Sequence, residues 1–261
     1  MRMLRLAKFS VVCAAALLAT VPAFAQEAAA TAPPKPHIDP RPRFAAMAKW
    51  PDFSGVWSPD WAALFQERAT PAAGPKFTPE AAKKNKDFIA AQATGENTQG
   101  QVANCIPPGV PGVMRQPYPI EFVYSPDTIY ILLETYSQAR RVYIDGRKLP
   151  DDPDLWFNGH SIGHWEGDAL IVETIGLNPK NVLQPGLTAT EQTRLREKIW
   201  LASPTKLMIE TTITDPTLFT QPFVSSMPYL LKTDWEMREY ICAENNKDAA
   251  DEFGRPSMNL D

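Results

Sequence analysis

The chain from Ile120 onward alternates short apolar runs with turn residues, at intervals of about ten residues. The predicted strands are Glu121–Tyr124, Thr128–Thr135, Ala139–Ile144, Trp156–Trp165, Ala169–Ile175, Thr190–Trp200, Lys206–Thr214, Thr220–Leu231 and Trp235–Ala243. Short turns between such strands indicate an antiparallel meander in a sandwich or barrel. Because this half shows no crossover helices, a parallel α/β fold is not expected. The predicted fold class is therefore all-β with minor helices.

Residues 50–95 predict one strand and two short helices. Asp52–Trp57 alternates apolar with small or polar residues, which is typical of a strand. Ser58–Asp60 and Thr78–Glu80 each place an N-cap residue before Pro, which is a common helix start. The second helix is expected to run to about Ala93 and to end near Gly95. We therefore predict a single domain over residues 50–261, with a helical insertion at about residues 58–95.

The N-terminal segment has the features of a cleavable signal peptide. Met1–Ala25 begins with three cations, continues with an apolar run over about Phe9–Leu18 and closes on Ala-Phe-Ala. The alternative is a membrane anchor, but the apolar run is too short to span a bilayer comfortably. Residues 26–49 are rich in Ala and Pro and predict an extended linker. The protein is therefore expected to be periplasmic or secreted, without a stable membrane anchor.

Composition narrows the classes of partner. The chain has 26 Lys and Arg residues against 30 Asp and Glu residues, which gives a net charge of −4. Nucleic-acid-binding proteins usually present a basic face, so no nucleic-acid partner is expected.

Two cysteines remain outside the predicted signal peptide, which contains Cys13. Cys105 and Cys242 form an even pair in a chain expected in an oxidising compartment, so we predict a disulfide between them. The alternative is a pair of buried free thiols. Because the two cysteines have neither the spacing of a redox motif nor that of a zinc site, we predict no metal there.

Two histidines in the predicted β domain carry the candidate chemistry. Strand periodicity places one set of residues on a common face: Trp156, Asn158, His160, Ile162 and His164. Imidazole titrates near neutral pH, so this face predicts a pocket for a ligand or for acid–base chemistry. The alternative is that His160 is a hydrogen-bonded core residue and His164 a rim residue. A metal would need a third ligand that the sequence does not clearly offer, so neither metal nor cofactor is expected.

The turn after Trp165 decides which residue faces His160. A two-residue turn at Glu166–Gly167 sets His160 opposite Glu173, which pairs an imidazole with an orienting carboxylate. A three-residue turn sets His160 opposite Thr174 instead, and the pair is lost. On the first register, the candidate catalytic residues are His160, His164 and Glu173.

Further residues are candidates for contacts with a ligand: Tyr118, Tyr136, Arg140, Arg141, Trp156, Asn158 and Glu191. The two arginines could neutralise an anionic ligand, and the alternative is a solvated strand edge. Tyr136 could line a cavity together with Glu134, or belong to the polar face of a half-buried sheet. The loop Cys105–Tyr118 is stiffened by Pro and is expected to cover part of the pocket as a fixed lid.

Several segments together resemble one largely uncharacterised family of secreted bacterial proteins. They are Asp52–Trp57, the Pro/Gly loop after Cys105, Gln116–Phe122, Arg140–Arg147, Gly159–Val172, Asp215-Pro216 and Glu239–Asn245. The resemblance covers about Asp52 to Asn245 and implies a lipocalin-like, mostly antiparallel β domain behind a signal peptide. It implies no particular reaction. This chain reads Thr188–Glu191 where the family has Pro-His-Ser before an acidic residue, and His164 stands where Arg or Lys is usual.

Three functions are compatible with this sequence. The first is an exported barrel that binds a small, largely apolar or aromatic molecule, since a closed barrel of about eight strands has room for one. The second is a cofactor-independent lyase, hydratase or isomerase with His160 as the general acid or base. The third is an envelope interaction protein without a cavity. An oligomer is compatible with each of them.

Overall fold

A computed structural model describes residues 44–45, 47–63, 74–95 and 105–242. The predicted signal peptide and most of the predicted linker lie outside these residues. The described strands are β1 (Val56–Pro59), β2 (Ile120–Ser125), β3 (Thr128–Leu133), β4 (Gln138–Tyr143), β5 (His160–Glu166), β6 (Ala169–Ile175), β7 (Val182–Gln184), β8 (Leu187–Thr188), β9 (Arg194–Ser203), β10 (Lys206–Thr214) and β11 (Phe223–Lys232). Within the described residues, no helix has both the length and the apolar character needed to cross a membrane.

Nine of these strands close into a barrel, in the order β1-β11-β10-β9-β6-β5-β4-β3-β2 and back to β1. The predicted all-β class with minor helices is confirmed. Neighbouring strands run antiparallel except β4 and β5, which are parallel and share only the pairs Val142–Ser161 and Tyr143–Ile162. Residues 144–159 cross between these two strands. Strands β7 and β8 form a separate hairpin.

Most predicted strands match the structure, and two match to the residue: Ala169–Ile175 and Lys206–Thr214. The predicted strand Trp235–Ala243 is wrong over its described part, because residues 235–241 have no strand pairing. Side-chain oxygens accept hydrogen bonds from backbone N–H groups of this segment instead. The Arg238 N–H donates to Glu134 Oε2 at 2.8 Å, and the Tyr240 N–H donates to Ser137 Oγ at 3.2 Å.

The predicted helix after Thr78 is confirmed as α1 (Pro79–Ala93). Thr78 Oγ1 accepts from the Ala81 N–H at 3.3 Å, Pro79 occupies the first turn, and Thr94 ends the helix before Gly95. The helix predicted at residue 58 starts later, because Ser58 and Pro59 belong to β1. Asp60 Oδ1 caps it by accepting from the Ala63 N–H at 3.1 Å.

Inward-facing side chains fill the barrel. Alternate residues of the strands point inside, including Ile131, Val172, Ile199 and Ile209, each at most 1% exposed. At one end, Phe53 packs against the rings of Phe122 and Trp165, among others. At the other end lies a short 3-10 helix, Gly112–Arg115, whose Met114 carbonyl accepts a hydrogen bond from the buried Tyr229 hydroxyl.

The predicted disulfide between Cys105 and Cys242 is confirmed, with the two Cα atoms 5.7 Å apart. It ties the start of the Pro/Gly loop to the segment that follows β11.

Candidate functional site

The predicted pairing of His160 with Glu173 is wrong. His160 lies opposite Ile175, and Glu173 lies opposite Ile162. The reason is the position of the turn. Glu166 pairs with Ala169, so the two turn residues are Gly167 and Asp168, and every partner shifts by two positions from the predicted register. The alternative register, with His160 opposite Thr174, is not found either.

The His160–His164 face of β5 lies on the outside of the barrel, since Ser161 and Trp165 on the other face point inward. The His160 ring stacks on Trp156, with centroids 4.2 Å apart, and its Nε2 lies 2.9 Å from the Asp154 carbonyl oxygen. The His164 side chain is 57% exposed and its Nε2 lies 3.0 Å from Glu166 Oε1. In this arrangement, no described carboxylate contacts His160.

Arg140 and Arg141 lie on opposite faces of β4. Arg140 points inward and is fully buried, and it forms a two-pronged ion pair with Glu197 of β9. Its Nη2 also donates to Thr174 Oγ1 at 2.9 Å. Arg141 points outward and is exposed. A ligand outside the barrel can therefore reach only Arg141 of this pair.

Residues 159–163 read Gly-His-Ser-Ile-Gly, which fits the Gly-x-Ser-x-Gly pattern of hydrolase nucleophiles. That chemistry requires the serine to stand exposed on a sharp strand-to-helix turn. Ser161 instead lies within β5, is 2% exposed, and has its Oγ 2.8 Å from Thr174 Oγ1. It belongs to the interior polar network around Arg140.

The remaining polar candidates do not converge. Glu173 is exposed on the outer face of β6, and Glu191 is exposed in the turn before β9. Asn158 lies in the turn before β5, where its buried Oδ1 accepts no hydrogen bond from a described residue. Trp156 stays near His160 on the outer surface and is 52% exposed.

One of the predicted ligand contacts, Tyr118, lines a cleft of about 590 Å³ at the barrel rim, and another, Tyr136, is linked to it through the ring of Tyr240. Its described lining is Pro117, Tyr118, Pro119, Glu134, Asp234, Trp235, Glu236, Met237 and Arg238. We call it the rim cleft. Its size suits a small organic ligand. The loop that begins at Cys105 supplies one wall through its last residues, and the segment after β11 supplies the other.

Three tyrosine rings pack together beside the rim cleft. Tyr240 lies between the other two, with centroid distances of 5.1 Å to Tyr118 and 5.3 Å to Tyr136. Tyr240 precedes Cys242 by two residues, so the disulfide holds this ring against the loop that starts at Cys105. The disulfide therefore restrains Tyr240, the central ring of the three tyrosines.

An unusual turn positions Tyr136. Tyr136 and Ser137 have φ values of 58° and 46°, in the left-handed region that non-glycine residues rarely adopt. Such conformations cost about 1–3 kcal/mol each and persist only where neighbours hold them. Here Ser137 Oγ donates to the Tyr240 carbonyl at 3.1 Å and accepts from the Tyr240 N–H. Strained backbone beside a cleft is a feature of binding sites.

Two tyrosines of this cluster, Tyr136 and Tyr240, have raised pKa values. Burial raises the pKa of Tyr136 above its ordinary value, and the nearby Tyr118 raises it further. Burial also raises the pKa of Tyr240, together with its two tyrosine neighbours. Tyr136 and Tyr240 therefore offer ring faces and O–H donors, not phenolate charge.

Sequence reasoning missed the wall formed by Asp234–Arg238 and Tyr240, because it assigned this segment to a strand. The sequence offers no local signal against a strand here, because Asp234–Arg238 alternates polar with apolar residues as a half-buried strand does. Trp235 is 46% exposed in the structure.

A second cleft, of about 320 Å³, lies between α1, the β7–β8 hairpin and the 3-10 helix Gly112–Arg115. Its lining includes Phe88, Gln92 and Arg115, and it brings together none of the predicted site residues. Across the described part of the chain, no three His, Cys, Asp or Glu side chains group closely enough to hold a metal ion.

No protein-family model and no curated protein matches this chain.

Proposed function

We propose that this chain is an exported β-barrel protein that binds a small, largely apolar or aromatic molecule in the rim cleft. The observation that carries the proposal is a cleft of ligand size that is lined by Tyr118 and Trp235, with Tyr240 packed against Tyr118 and Tyr136 packed against Tyr240. Aromatic side chains supply a large contact area at a low cost in conformational entropy.

Two further observations support the rim as the binding place. The barrel interior is occupied by side chains and by the Arg140–Glu197 ion pair, so a ligand there would have to displace them. The rim cleft, in contrast, has walls held by the Cys105–Cys242 disulfide and by the bonds between Ser137 and Tyr240. A preformed wall reduces the ordering cost of binding. The disulfide also agrees with export to an oxidising compartment.

Titration with the neutral fluorescent probe N-phenylnaphthylamine tests this proposal. We expect saturable enhancement of its fluorescence, and an affinity about tenfold lower in the variants Tyr118→Ala and Trp235→Ala, which each remove a ring from the wall. Trp200→Ala is the matched control. Trp200 and Trp235 each have a lysine ammonium 5.2 Å from the ring centroid, but Trp200 lies on β9 away from the cleft. Absence of saturable binding, or an equal loss in the control, contradicts the proposal.

A second candidate function is an envelope interaction protein, favoured by the filled barrel interior. It predicts that the probe does not bind and that the protein instead co-purifies with a macromolecular partner from the envelope. The titration above distinguishes the two, because an interaction protein without a ligand site gives no saturable signal.

A further inference from the structure

We propose that the ligand of the rim cleft is a cation, an amine or quaternary ammonium carried on an aromatic or apolar body. This inference rests on the proposed function and specifies its ligand class. It follows from the combination of carboxylates and aromatic rings around one cavity.

The described lining of the rim cleft is acidic. Glu134, Asp234 and Glu236 bring three carboxylates, and Arg238 brings one guanidinium, so these side chains carry a net charge of −2, or −1 when the Lys232 ammonium near Trp235 is included. A concave site with one sign of charge concentrates ligands of the opposite sign and repels ligands of the same sign. An anionic ligand is therefore disfavoured and a cation favoured.

The carboxylates of Glu134, Asp234 and Glu236 form no ion pairs with other described residues. Four other acids of the chain, in contrast, form ion pairs: Glu80 with Lys84, Asp87 with Lys83, Asp145 with Arg147, and Glu197 with Arg140. Glu134 accepts one hydrogen bond, from the Arg238 N–H to Oε2, which leaves Oε1 without a donor from any described residue. Asp234 and Glu236 form no ion pair with the described part of the chain. Their charge remains available to a ligand.

The aromatic wall adds a second attraction for a cation. The face of a tryptophan or tyrosine ring is electronegative and attracts an ammonium or guanidinium group. Trp235 already shows this property, since the Lys232 ammonium lies 5.2 Å from its ring centroid. Tyr118 also lines the cleft and contributes a second aromatic ring. Rings together with nearby carboxylates form the kind of environment that binds quaternary ammonium groups.

A panel of three probes of similar shape tests the charge preference: phenyltrimethylammonium, the neutral tert-butylbenzene and the anionic benzenesulfonate. Direct titration calorimetry of each is combined with competition against N-phenylnaphthylamine. We expect the cation to bind at least about tenfold more tightly than the neutral analogue, and the anion to bind more weakly than both. We also expect the affinity for the cation alone to fall as salt is added, because exposed charges are screened.

Variants that remove negative charge test whether the preference for a cation arises at the rim cleft. Glu134→Gln retains an oxygen that can accept from the Arg238 N–H, and Asp234→Asn with Glu236→Gln changes two exposed side chains. Each should weaken binding of phenyltrimethylammonium about fivefold and leave tert-butylbenzene unchanged. The double variant Asp151→Asn/Asp152→Asn, in the exposed crossover segment, removes the same number of charges elsewhere and should change neither affinity.

The outcomes separate this inference from the proposed function. If N-phenylnaphthylamine and tert-butylbenzene bind as tightly as the cation, the cleft binds aromatic molecules but the charge preference is overturned. If calorimetry detects no binding of any probe, both proposals are overturned. If the control double variant weakens binding of the cation as much as Asp234→Asn with Glu236→Gln does, the attraction is a general effect of surface charge and the inference fails.

Discussion

Arg140 and Glu197 form an ion pair inside the barrel with both side chains fully buried. The pair spans one of the two junctions where the barrel is least paired, since β4 and β5 share only two residue pairs, as do β1 and β2. Arg140 on β4 also donates to Thr174 on β6, while Glu197 lies on β9. Inside the barrel, the contacts of Arg140 therefore connect β4 to β6 and β9, which lie beyond the sparsely paired junction between β4 and β5.

We expect Arg140→Met to destabilise the fold by about 3–5 kcal/mol, because Glu197 is left as a buried charge without a partner. The double variant Arg140→Met/Glu197→Leu should recover most of this loss, because a well-packed apolar pair replaces both charges. Urea unfolding measures the two free energies. A double variant that is less stable than the single one contradicts this account.

Gly163 permits the close approach of β4 to β5. A Cβ at this position would lie 2.8 Å from Val142 Cγ1 and 3.3 Å from the Ile171 carbonyl oxygen. We expect Gly163→Ala to cost about 1–3 kcal/mol in urea unfolding, because the neighbouring strand must move. Gly74→Ala is the control, since a Cβ there meets no atom within 4 Å. An equal effect of the two substitutions is inconsistent with a steric origin.

The disulfide should stabilise both the fold and the rim cleft. Its two cysteines are 137 residues apart, and closure of so long a loop contributes about 5 kcal/mol in the chain-entropy model. We expect Cys105→Ser/Cys242→Ser to lose stability of this order and to bind N-phenylnaphthylamine more weakly, because Tyr240 loses its anchor. Titration of thiols in the denatured, unreduced protein without residues 1–25 should find none. Two free thiols would exclude the bond.

Asp215 should make stability depend on acid pH. This carboxylate is 1% exposed, and although burial opposes its ionisation, hydrogen bonds from Thr193, Thr217 and Thr190 outweigh that effect and lower its pKa. Because the folded pKa lies below the unfolded value of about 3.9, its contribution is complete above that pH and is lost as pH falls through the folded pKa.

We therefore expect the free energy of unfolding to fall below about pH 4, and to fall less steeply in Asp215→Asn, which is also less stable at neutral pH. Urea unfolding at a series of pH values measures both effects. Parallel pH profiles for the two proteins would show that other groups control the acid transition.

The strands were predictable because buried and more exposed residues alternate with a period of two in β9 and β10, and because apolar residues form a short continuous run in β6. The register of β5 against β6 was not predictable in the same way. Turns at Glu166–Gly167 and at Gly167–Asp168 give registers that differ by two residues, and a shift of two leaves every side chain on the same face. The hydrophobic pattern therefore cannot distinguish between the two registers.

The side of β5 that faces inward depends on its neighbours. The inward face carries the small residues Ser161 and Gly163, which allow β4 to approach, whereas His160 and His164 occupy the roomier outer face. Similarly, the rim cleft depends on contacts between residues far apart in the chain, such as Arg238 with Glu134 across 104 positions. Local sequence pattern contains no information on which distant segments meet.

The bond between Cys105 and Cys242 also changes what a protease can do to this protein. Exposed crossover residues such as Asp151 and Asp152 are typical places for a first cut. Any single cut between the two cysteines leaves two polypeptides that are still joined through sulfur, with β1 on one piece and β11 on the other still able to pair. A nicked molecule would migrate as one species until it is reduced, and it would keep both walls of the rim cleft on the same covalent assembly.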